Sequence, residues 1–276
     1  MSIRLIAFDL DGTLLDNEKR VPGKNREALK EAADRGIWIV PFTARLSSKV
    51  PEEVTAFPFV RYLVTENGAR IYDREKRRTV YQADITVLEA GELFDYMDGL
   101  PVIYDCYQDG TGWIDKDFYE HTERWITDPY TQKLIHTLRL PVDGLRQVIS
   151  DRNRPIQKTQ MFFEDLALRA KVFEELKEKF PLYSVTSSLY NNIEINAENA
   201  NKGAALTALC RHLGIHRSEC IAFGDNGNDV SMLKAAGIGV AMGNATPEAK
   251  AAADVITDSN EEGGVGSGIR KYVLQP

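Results

Sequence analysis

Two aspartates at the end of an apolar segment are the residues of this chain that most directly suggest chemistry. The segment 3–8 is apolar with one basic interruption, and it leads into Asp9 and Asp11, followed by Gly12 and Thr13. Carboxylates beside a low-dielectric core are costly unless a cation neutralises them. The pair therefore indicates a metal-dependent reactive centre. The alternative is an Asp-Gly turn that only ends a strand.

Three further polar segments follow apolar strands or open a helix. They are Thr43-Ala44-Arg45, Asn201-Lys202-Gly203 and Gly224-Asp225-Asn226-Gly227-Asn228-Asp229. Ligands of open α/β sheets bind beyond the carboxyl ends of the strands, so these segments are expected to share one pocket. A hydroxyl, a lysine and a helix N-terminus suit an anion. Taken singly, each segment has an ordinary interpretation as a helix cap or a solvated residue.

Strand and helix patterns alternate on both sides of a segment with a different texture. We predict an α/β protein, a doubly wound, mostly parallel Rossmann-like sheet with an inserted α+β cap domain. The order strand–helix–strand runs to residue 82 and resumes with a strand at Asn192–Ile195. The predicted domains are 1–82 with 188–276 as the core, and 83–187 as the cap.

The composition fits a soluble, cytoplasmic protein. The chain has 276 residues, 43% hydrophobic and 27% charged, with a net charge of −7. No basic stripe indicates nucleic acid, and no apolar segment approaches the ~20 residues that span a membrane. Three cysteines are expected to be reduced core residues. The chain runs from Met1 directly into the first strand, so no targeting segment is expected.

Two other patterns receive an ordinary interpretation. The glycine-rich segment 263–268 does not directly follow a strand, so we expect a flexible loop before the last helix rather than a nucleotide-binding loop. His212 and His216 lack a third metal ligand nearby and are expected to be packing or surface residues.

The four polar segments together resemble the motifs of the haloacid dehalogenase-like hydrolases, specifically the Cof-type phosphatases with an α/β cap. The stretches that carry the resemblance are Asp9–Leu15, Thr43, Asn201-Lys202-Gly203, Gly224–Asp229 with Met232-Leu233, Glu66-Asn67-Gly68-Ala69, Gly239–Ala245, and Asp254–Asn260 followed by Gly264-Val265. The resemblance covers both halves of the core, whereas the cap matches in position and pattern only.

The resemblance implies phosphoryl transfer in two steps. Asp9 would attack phosphorus to form an aspartyl-phosphate, and Asp11 would act as general acid and then as general base. These roles imply that Asp9 starts ionised and Asp11 protonated. Mg²⁺ would bind Asp9, the backbone carbonyl of Asp11 and Asp225. Asp229 would orient Lys202 or a metal-bound water.

The resemblance also implies the residues that hold the phosphate. They are the amides of Leu10 and Ala44, together with Thr43, Lys202 and Asn228. Ala44 stands where the family usually has glycine. If φ at this position is negative, alanine carries little penalty, and we expect that case.

The expected function is a Mg²⁺-dependent phosphatase acting on small phosphorylated metabolites, such as sugar phosphates, through an aspartyl-phosphate. Two alternatives remain open. One is a phosphomutase or phosphotransferase that returns the phosphoryl group to a sugar. The other is a regulator that binds a phosphometabolite without turnover.

Overall fold

The computed structural model describes residues 2–275, apart from the side chain of Tyr130. The strands are β1 (Leu5–Phe8), β2 (Trp38–Pro41), β3 (Tyr62–Thr65), β4 (Arg70–Asp73), β5 (Arg78–Gln82), β6 (Ile103–Gln108), β7 (Thr111–Asp115), β8 (Arg139–Val142), β9 (Lys158–Phe162), β10 (Tyr183–Thr186), β11 (Asn192–Ala197), β12 (Cys220–Gly224), β13 (Ile238–Ala241) and β14 (Val255–Ile256).

The α-helices are α1 (Gly23–Asp34), α2 (Glu52–Thr55), α3 (Val87–Asp98), α4 (Lys116–Glu120), α5 (Pro129–Leu138), α6 (Leu145–Arg152), α7 (Leu166–Lys179), α8 (Lys202–Leu213), α9 (Val230–Ala235), α10 (Pro247–Ala252) and α11 (Gly264–Tyr272). Short 3₁₀ turns lie at Ser47–Lys49, Glu66–Gly68, Thr122–Arg124, Arg217–Glu219 and Gly227–Asp229. Between residues 2 and 275, no helix is both long and apolar enough to cross a bilayer.

The chain divides into two compact units. The first holds the residues up to Arg45, Val50–Gln82 and the chain from Asn201 onwards. Its central sheet is parallel, in the order β14-β13-β12-β1-β2, with the small antiparallel sheet β3-β4-β5 after it. This confirms the predicted α/β fold with a mostly parallel sheet. Strand β1 is fully buried, as expected for a parallel strand covered on both faces.

The register of the sheet aligns the strand ends that carry the polar segments. Phe8 pairs with Phe223 on one side and with Pro41 on the other. All three strands run in the same direction, so the residues that follow them emerge at the same edge. The topology therefore brings the segments after β1, β2 and β12 together.

The second unit consists of Leu46–Lys49 and Ala83–Ala200. Its six-stranded sheet has the order β10-β11-β9-β6-β7-β8, antiparallel except for the parallel pair β7 and β8. Helices α3, α6 and α7 supply apolar side chains to a hydrophobic cluster of this unit. Helix α3 begins with a capping box, in which the Thr86 side chain accepts from the Glu89 amide and Glu89 accepts from the Thr86 amide.

The strand predicted at Asn192–Ile195 does not resume the parallel sheet. It is β11, which pairs antiparallel with β9 and β10 in the second unit. This unit therefore extends to Ala200, beyond the predicted end at Ser187, and it also includes Leu46–Lys49, which the prediction placed in the core. The sequence carries the relevant signal, because polar and apolar residues alternate in β11 as they do in antiparallel strands, whereas β1 and β12 are continuously apolar.

The glycine-rich segment 263–268 is not a loop before the last helix, because α11 begins within it at Gly264. A Cβ added at Gly266 would lie 2.5 Å from the backbone oxygen of Lys24 in α1. One added at Gly268 would lie 2.4 Å from the ring of Phe223. These glycines allow α11 to approach its neighbours closely, a requirement that local sequence does not reveal.

The cysteines are free and buried, as expected. Two of them are in contact, because the Sγ atoms of Cys210 in α8 and Cys220 in β12 lie 3.3 Å apart. The sequence gives no indication of this contact.

Asp73 at the end of β4 provides a test of the small antiparallel sheet. Its buried carboxylate accepts hydrogen bonds from Arg61 Nε at 3.0 Å and Nη2 at 2.8 Å, and from the amides of Glu75 and Lys76 at 3.1 Å. Hydrogen bonding to Arg61 lowers the pKa of Asp73 from 3.8 to about 2. A lowered pKa stabilises the fold above pH 3.8, and this contribution is lost as the pH falls toward 2.

We therefore expect Asp73→Asn to reduce the free energy of unfolding by about 2 kcal/mol at pH 7. Urea denaturation of both proteins from pH 7 down to 3 measures the difference, which should shrink below pH 4. Asp34→Asn is the control, because Asp34 forms an exposed pair with Lys30. A constant difference across the whole range would contradict the role of the ionised carboxylate.

Candidate active site

A buried lysine joins two of the aspartates at the carboxyl edge of the parallel sheet. Lys202 Nζ donates to Asp9 Oδ1 and to Asp229 Oδ1, each at 2.6 Å. Lys202 and Asp229 are fully buried and Asp9 is 6% exposed. Lys202 is the first residue of α8, which Asn201 caps by accepting from the Ala204 amide. The capped helix start thus delivers the ammonium group to the end of β1.

Both carboxylate oxygens of Asp229 accept hydrogen bonds from other groups of the protein. One oxygen accepts from Lys202, and Oδ2 accepts from the amides of Asp225 at 2.9 Å and Asn226 at 3.0 Å. The side chain therefore fixes both the lysine and the turn after β12. These contacts fit the predicted orienting role of Asp229 better than they fit direct ligation of a metal.

Asp225 differs from the other two carboxylates in binding a neutral hydroxyl and not the Lys202 ammonium group. Its Oδ1 accepts from Thr13 Oγ1 at 2.7 Å. Gly12 packs directly against it, because a Cβ added at Gly12 would lie 2.4 Å from Asp225 Oδ2. Carboxylate oxygens of Asp9, Asp225 and Asp229 lie within 4.8 Å of one another.

The charges of this cluster do not balance without a further cation. Burial is the main reason that the pKa of Asp9 is raised well above 3.8, against the opposing effect of Lys202. Burial, followed by the charge of Asp229, also raises the pKa of Asp225. Three carboxylates face a single ammonium group. A hard divalent cation with oxygen ligands fits this donor set, since it would stabilise the ionised forms that burial disfavours.

Asp11 has a different environment and differs from the expectation that it starts protonated. It accepts from Arg45 Nε at 2.6 Å, from Arg45 Nη2 at 2.7 Å and from Lys19 Nζ at 2.9 Å. Burial alone would raise the pKa of Asp11, but Arg45 and Lys19 outweigh it and lower the pKa to about 2. Asp11 is therefore ionised at neutral pH, and the expected order of the Asp9 and Asp11 pKa values is reversed.

The predicted phosphate-binding residues lie at the ends of β1, β2 and β12. Thr43 is buried, and its Oγ1 accepts from the Arg45 amide at 3.1 Å. Leu10 is fully buried, and its carbonyl accepts from the Leu15 amide at 2.9 Å. Asn228 is 7% exposed and donates to Asn67 Oδ1 at 3.1 Å.

Ala44 adopts a backbone conformation that alanine tolerates. Within residues 2–275, the non-glycine residues with positive φ do not include Ala44. The expectation of a negative φ is therefore confirmed, and alanine carries no left-handed penalty at this position.

Sequence reasoning assigned no role to three side chains that shape this site. Thr13 binds Asp225, whereas Lys19 and Arg45 bind Asp11. Arg45 and Thr13 lie inside recognised motifs, so their proximity to the aspartates could have been inferred. Lys19 lies in a turn with φ of 63°, and no local pattern marks it.

Comparison with known proteins agrees with this geometry. The family model described as haloacid dehalogenase-like hydrolase matches residues 6–269. The 5-amino-6-(5-phospho-D-ribitylamino)uracil phosphatase YcsE of Bacillus subtilis (strain 168) is 33% identical over 274 residues, which is 99% of this chain and 97% of that protein. The HMP-PP phosphatase of Shigella boydii serotype 4 (strain Sb227) is 29% identical, over 90% of this chain and 91% of that protein.

A solved structure of a haloacid dehalogenase-like hydrolase from B. subtilis superposes with a TM-score of 0.84. It is 26% identical, and the match covers 98% of this chain and 100% of that one. The similarity therefore extends over both units of the chain.

Gly12 gives a steric test of the site. Gly12→Ala would place a methyl group against Asp225 and impose a side chain on φ of +81°. We expect phosphatase activity to fall at least 100-fold, because the Asp225 carboxylate must turn away from its position in the site to make room for the methyl group. Gly36→Ala is the matched control, since Gly36 has φ of +79° with nothing within 4 Å of the added Cβ. It should cost about 1 kcal/mol of stability and leave turnover unchanged. Equal activity losses in both variants would contradict the steric explanation.

The raised carboxylate pKa values predict how a divalent cation stabilises the fold. A pKa above its unfolded value stabilises the protein below that unfolded value, and the contribution is lost as the pH rises through the folded value. For Asp225 this window runs from 3.8 to about 7. The metal-free protein should therefore lose this contribution across the window, and Mg²⁺ should restore stability at the upper end.

We expect a Mg²⁺ concentration ten times the Kd at pH 7.5 to add about 1.4 kcal/mol to the free energy of unfolding at that pH. The same concentration should add clearly less at pH 5. Urea denaturation in EDTA and in Mg²⁺ at the two pH values measures this. Asp225→Asn should remove most of the Mg²⁺ effect. Stabilisation of equal size at both pH values would contradict binding at these carboxylates.

Proposed function

Because this chain belongs to the haloacid dehalogenase-like hydrolases, we propose that it is a Mg²⁺-dependent phosphatase. It hydrolyses phosphomonoesters of small metabolites through an aspartyl-phosphate on Asp9. The observation that carries the proposal is the buried Asp9–Lys202–Asp229 chain beside Asp225, with 2.6 Å contacts at both ends of the ammonium group. This arrangement combines a nucleophile, a cation for phosphate and an unneutralised carboxylate for a metal.

Asp9, Asp225 and the backbone carbonyl of Asp11 are the proposed metal ligands. Bound there, Mg²⁺ would supply positive charge to the carboxylates and to a phosphate oxygen. The structure supports Asp9 and Asp225 through the proximity of their oxygens and the excess of negative charge. Asp11 cannot readily offer its side chain, since Arg45 and Lys19 occupy both carboxylate oxygens.

Asp9 is the proposed nucleophile. Its Oδ1 is held by Lys202, which fixes the orientation of the carboxylate and leaves Oδ2 for attack on phosphorus. Attack forms the Asp9 Oδ2–phosphorus bond and breaks the bond from phosphorus to the ester oxygen. The leaving alkoxide takes up a proton to become the alcohol.

Asp11 is the proposed group for proton transfer. Its surroundings keep it in the ionised form that the second half of the reaction requires, and the same cations weaken it as a base. Ionised Asp11 can accept a proton from the water that attacks the aspartyl-phosphate, which releases phosphate and restores Asp9. Protonation of the leaving group by Asp11 is opposed by Arg45 and Lys19, which hold its pKa low. We infer that this acid step requires the contacts of Asp11 with these cations to loosen when substrate binds.

The phosphate oxygens are proposed to be held by Lys202, Thr43, Asn228 and the amides of Leu10 and Ala44. Lys202 supplies a charge that the protein keeps in place before substrate arrives, because Asp9 and Asp229 outweigh the effect of burial and raise the pKa of its ammonium group. Preorganised donors of this kind stabilise the transferring phosphoryl group without reorganisation during the reaction.

The proposed substrates are small phosphomonoesters with polar leaving groups. YcsE is named for 5-amino-6-(5-phospho-D-ribitylamino)uracil, and the Shigella relative for HMP-PP. Both names describe phosphorylated small molecules, and these two compounds together with sugar phosphates are the first candidates to test. The cytoplasm is the proposed location, since such metabolites are found there.

A phosphate-release assay over a metabolite panel in Mg²⁺ tests the function. We expect turnover of at least one small phosphomonoester and of p-nitrophenyl phosphate, and loss of both in EDTA. Asp9→Asn should reduce turnover at least 10³-fold, equivalent to about 4 kcal/mol of transition-state stabilisation. Asp34→Asn, at an exposed site, should leave turnover unchanged.

Three results would contradict the proposal. A phosphorylated sugar product without free phosphate would indicate a mutase or transferase. Tight binding of a metabolite without turnover would indicate a regulator. Near-normal turnover by Asp9→Asn would remove the nucleophile assignment.

A further inference from the structure

The turn Glu66–Gly68 has a backbone conformation that calls for an explanation. Glu66 and Asn67 are consecutive non-glycine residues with φ of 57° and 60°, and Gly68 follows with φ of 98°. All three are buried. The left-handed region is unfavourable for residues with a side chain, and it persists where the surroundings impose it, often at functional sites.

The other non-glycine residues with positive φ in the described chain differ from Glu66 and Asn67 in two ways. They are Lys19, Arg77, Asp109 and Asn153. None of the four is next to another non-glycine residue with positive φ, and each is exposed or only partly buried. Turns and helix ends account for such isolated cases. The buried pair at 66 and 67 therefore has a different origin.

The backbone of the turn binds both sides of Ala44. The Asn67 amide donates to the carbonyl of Thr43 at 3.1 Å, and the Glu66 amide donates to the carbonyl of Arg45 at 3.0 Å. These bonds fix the peptide group between Thr43 and Ala44 and the peptide group that follows Arg45. The left-handed conformation is what directs two successive amides toward the same loop.

The side chain of Asn67 binds a second phosphate-binding residue. Asn67 Oδ1 accepts from Asn228 Nδ2 at 3.1 Å, and the two side chains are 2% and 7% exposed. An amide nitrogen carries two N–H groups. Asn67 uses one N–H of Asn228, which fixes the plane of this amide and so the direction of its second N–H.

Gly68 completes the set of contacts at the start of α8. A Cβ added to Gly68 would lie 2.5 Å from the Asn201 oxygen and 3.0 Å from the Lys202 nitrogen. Only glycine allows the turn to lie this close to the helix start that delivers Lys202. One three-residue turn thus contacts the segments of Thr43, Asn228 and Lys202.

We propose that Glu66–Gly68 sets the spacing of the phosphate-binding groups, with Asn67 as a positioning residue that acts through Asn228. This inference rests on the proposed function in assigning the anion as phosphate. Asn67 itself does not contact substrate in this proposal. It holds the Asn228 amide and the Ala44 loop so that both can donate to the same tetrahedral anion.

Three variants separate the side chain from the backbone. Asn67→Gly keeps the left-handed conformation and removes the side chain, Asn67→Ala removes the side chain and disfavours the conformation, and Asn67→Asp keeps an acceptor for Asn228. Calorimetric titration with inorganic phosphate in Mg²⁺ is the readout, with KM and kcat for p-nitrophenyl phosphate as the second. Phosphate titration needs no turnover, so it remains informative if the proposed hydrolysis fails.

We expect the Kd for phosphate to rise about 10-fold in Asn67→Gly and further in Asn67→Ala, with KM rising in parallel. Asn67→Asp should bind phosphate more weakly than wild type because of its charge. Asn153→Gly and Asn153→Ala, at an exposed left-handed position that ends α6, are the matched controls and should leave both constants unchanged.

A double-mutant cycle tests whether Asn67 acts through Asn228. In an Asn228→Ala background, Asn67→Gly should change the Kd less than 2-fold, because the residue that it positions is already absent. An unchanged Kd in Asn67→Gly, or a full 10-fold effect in the Asn228→Ala background, would overturn the proposal. If wild type binds phosphate but hydrolyses no substrate, the proposed function fails while this inference remains supported by the Kd series.

Discussion

The rest of the site depends on the contacts of the Lys202 ammonium group with Asp9 and Asp229. Burial alone would lower the pKa of this lysine, but the carboxylates of Asp229 and Asp9 outweigh burial. Each lies 2.6 Å from Nζ. Without the ammonium group, Asp9, Asp225 and Asp229 would form a buried cluster of like charges, which a low-dielectric environment strongly disfavours. The fold provides for this contact by starting α8 at Lys202 and ending β1 at Phe8.

The two aspartates after β1 are separated by one residue and nevertheless have opposite electrostatic surroundings. Asp9 faces the buried lysine and two further carboxylates, whereas Asp11 faces Arg45 and Lys19 on the more exposed side. Consecutive odd positions would share a face in a strand, but β1 ends at Phe8 and the chain turns. That turn places one aspartate beside the buried Lys202 and the other beside Arg45 and Lys19. The different electrostatic surroundings of the two aspartates follow from where the strand ends.

Much of the first unit could be predicted from the sequence, because its signals are local. Continuous apolar strands, polar residues at their ends and a capped helix start place Asp9, Thr43, Lys202 and Asp225 at one sheet edge. Of the two cations that bind Asp11, Arg45 follows β2 at the same sheet edge, whereas Lys19 reaches the site from an unmarked turn and could not be predicted. The prediction that Asp11 starts protonated was wrong because Arg45, and after it Lys19, lowers the pKa of Asp11.

The prediction that β11 belongs to the parallel sheet was wrong for a different reason. Its strand character was predicted, but its partner strands depend on contacts between distant residues. The alternating pattern of β11, unlike the continuous apolar pattern of β1, is typical of an antiparallel strand but does not identify its partners. The packing of α11 through Gly266 and Gly268 is also a long-range property. Local patterns therefore predicted most elements, whereas pairing and close approach required the structure.

Gly12 links two distant parts of the chain in a way that constrains sequence change. The space beside its Cα is filled by Asp225 Oδ2, from a residue more than two hundred positions further along the chain. Among homologous proteins, a larger residue at position 12 would be tolerated only where the residue at 225 is shortened or lost. The two positions should therefore vary together or not at all, and a homologue with a side chain at position 12 is one that has given up this carboxylate.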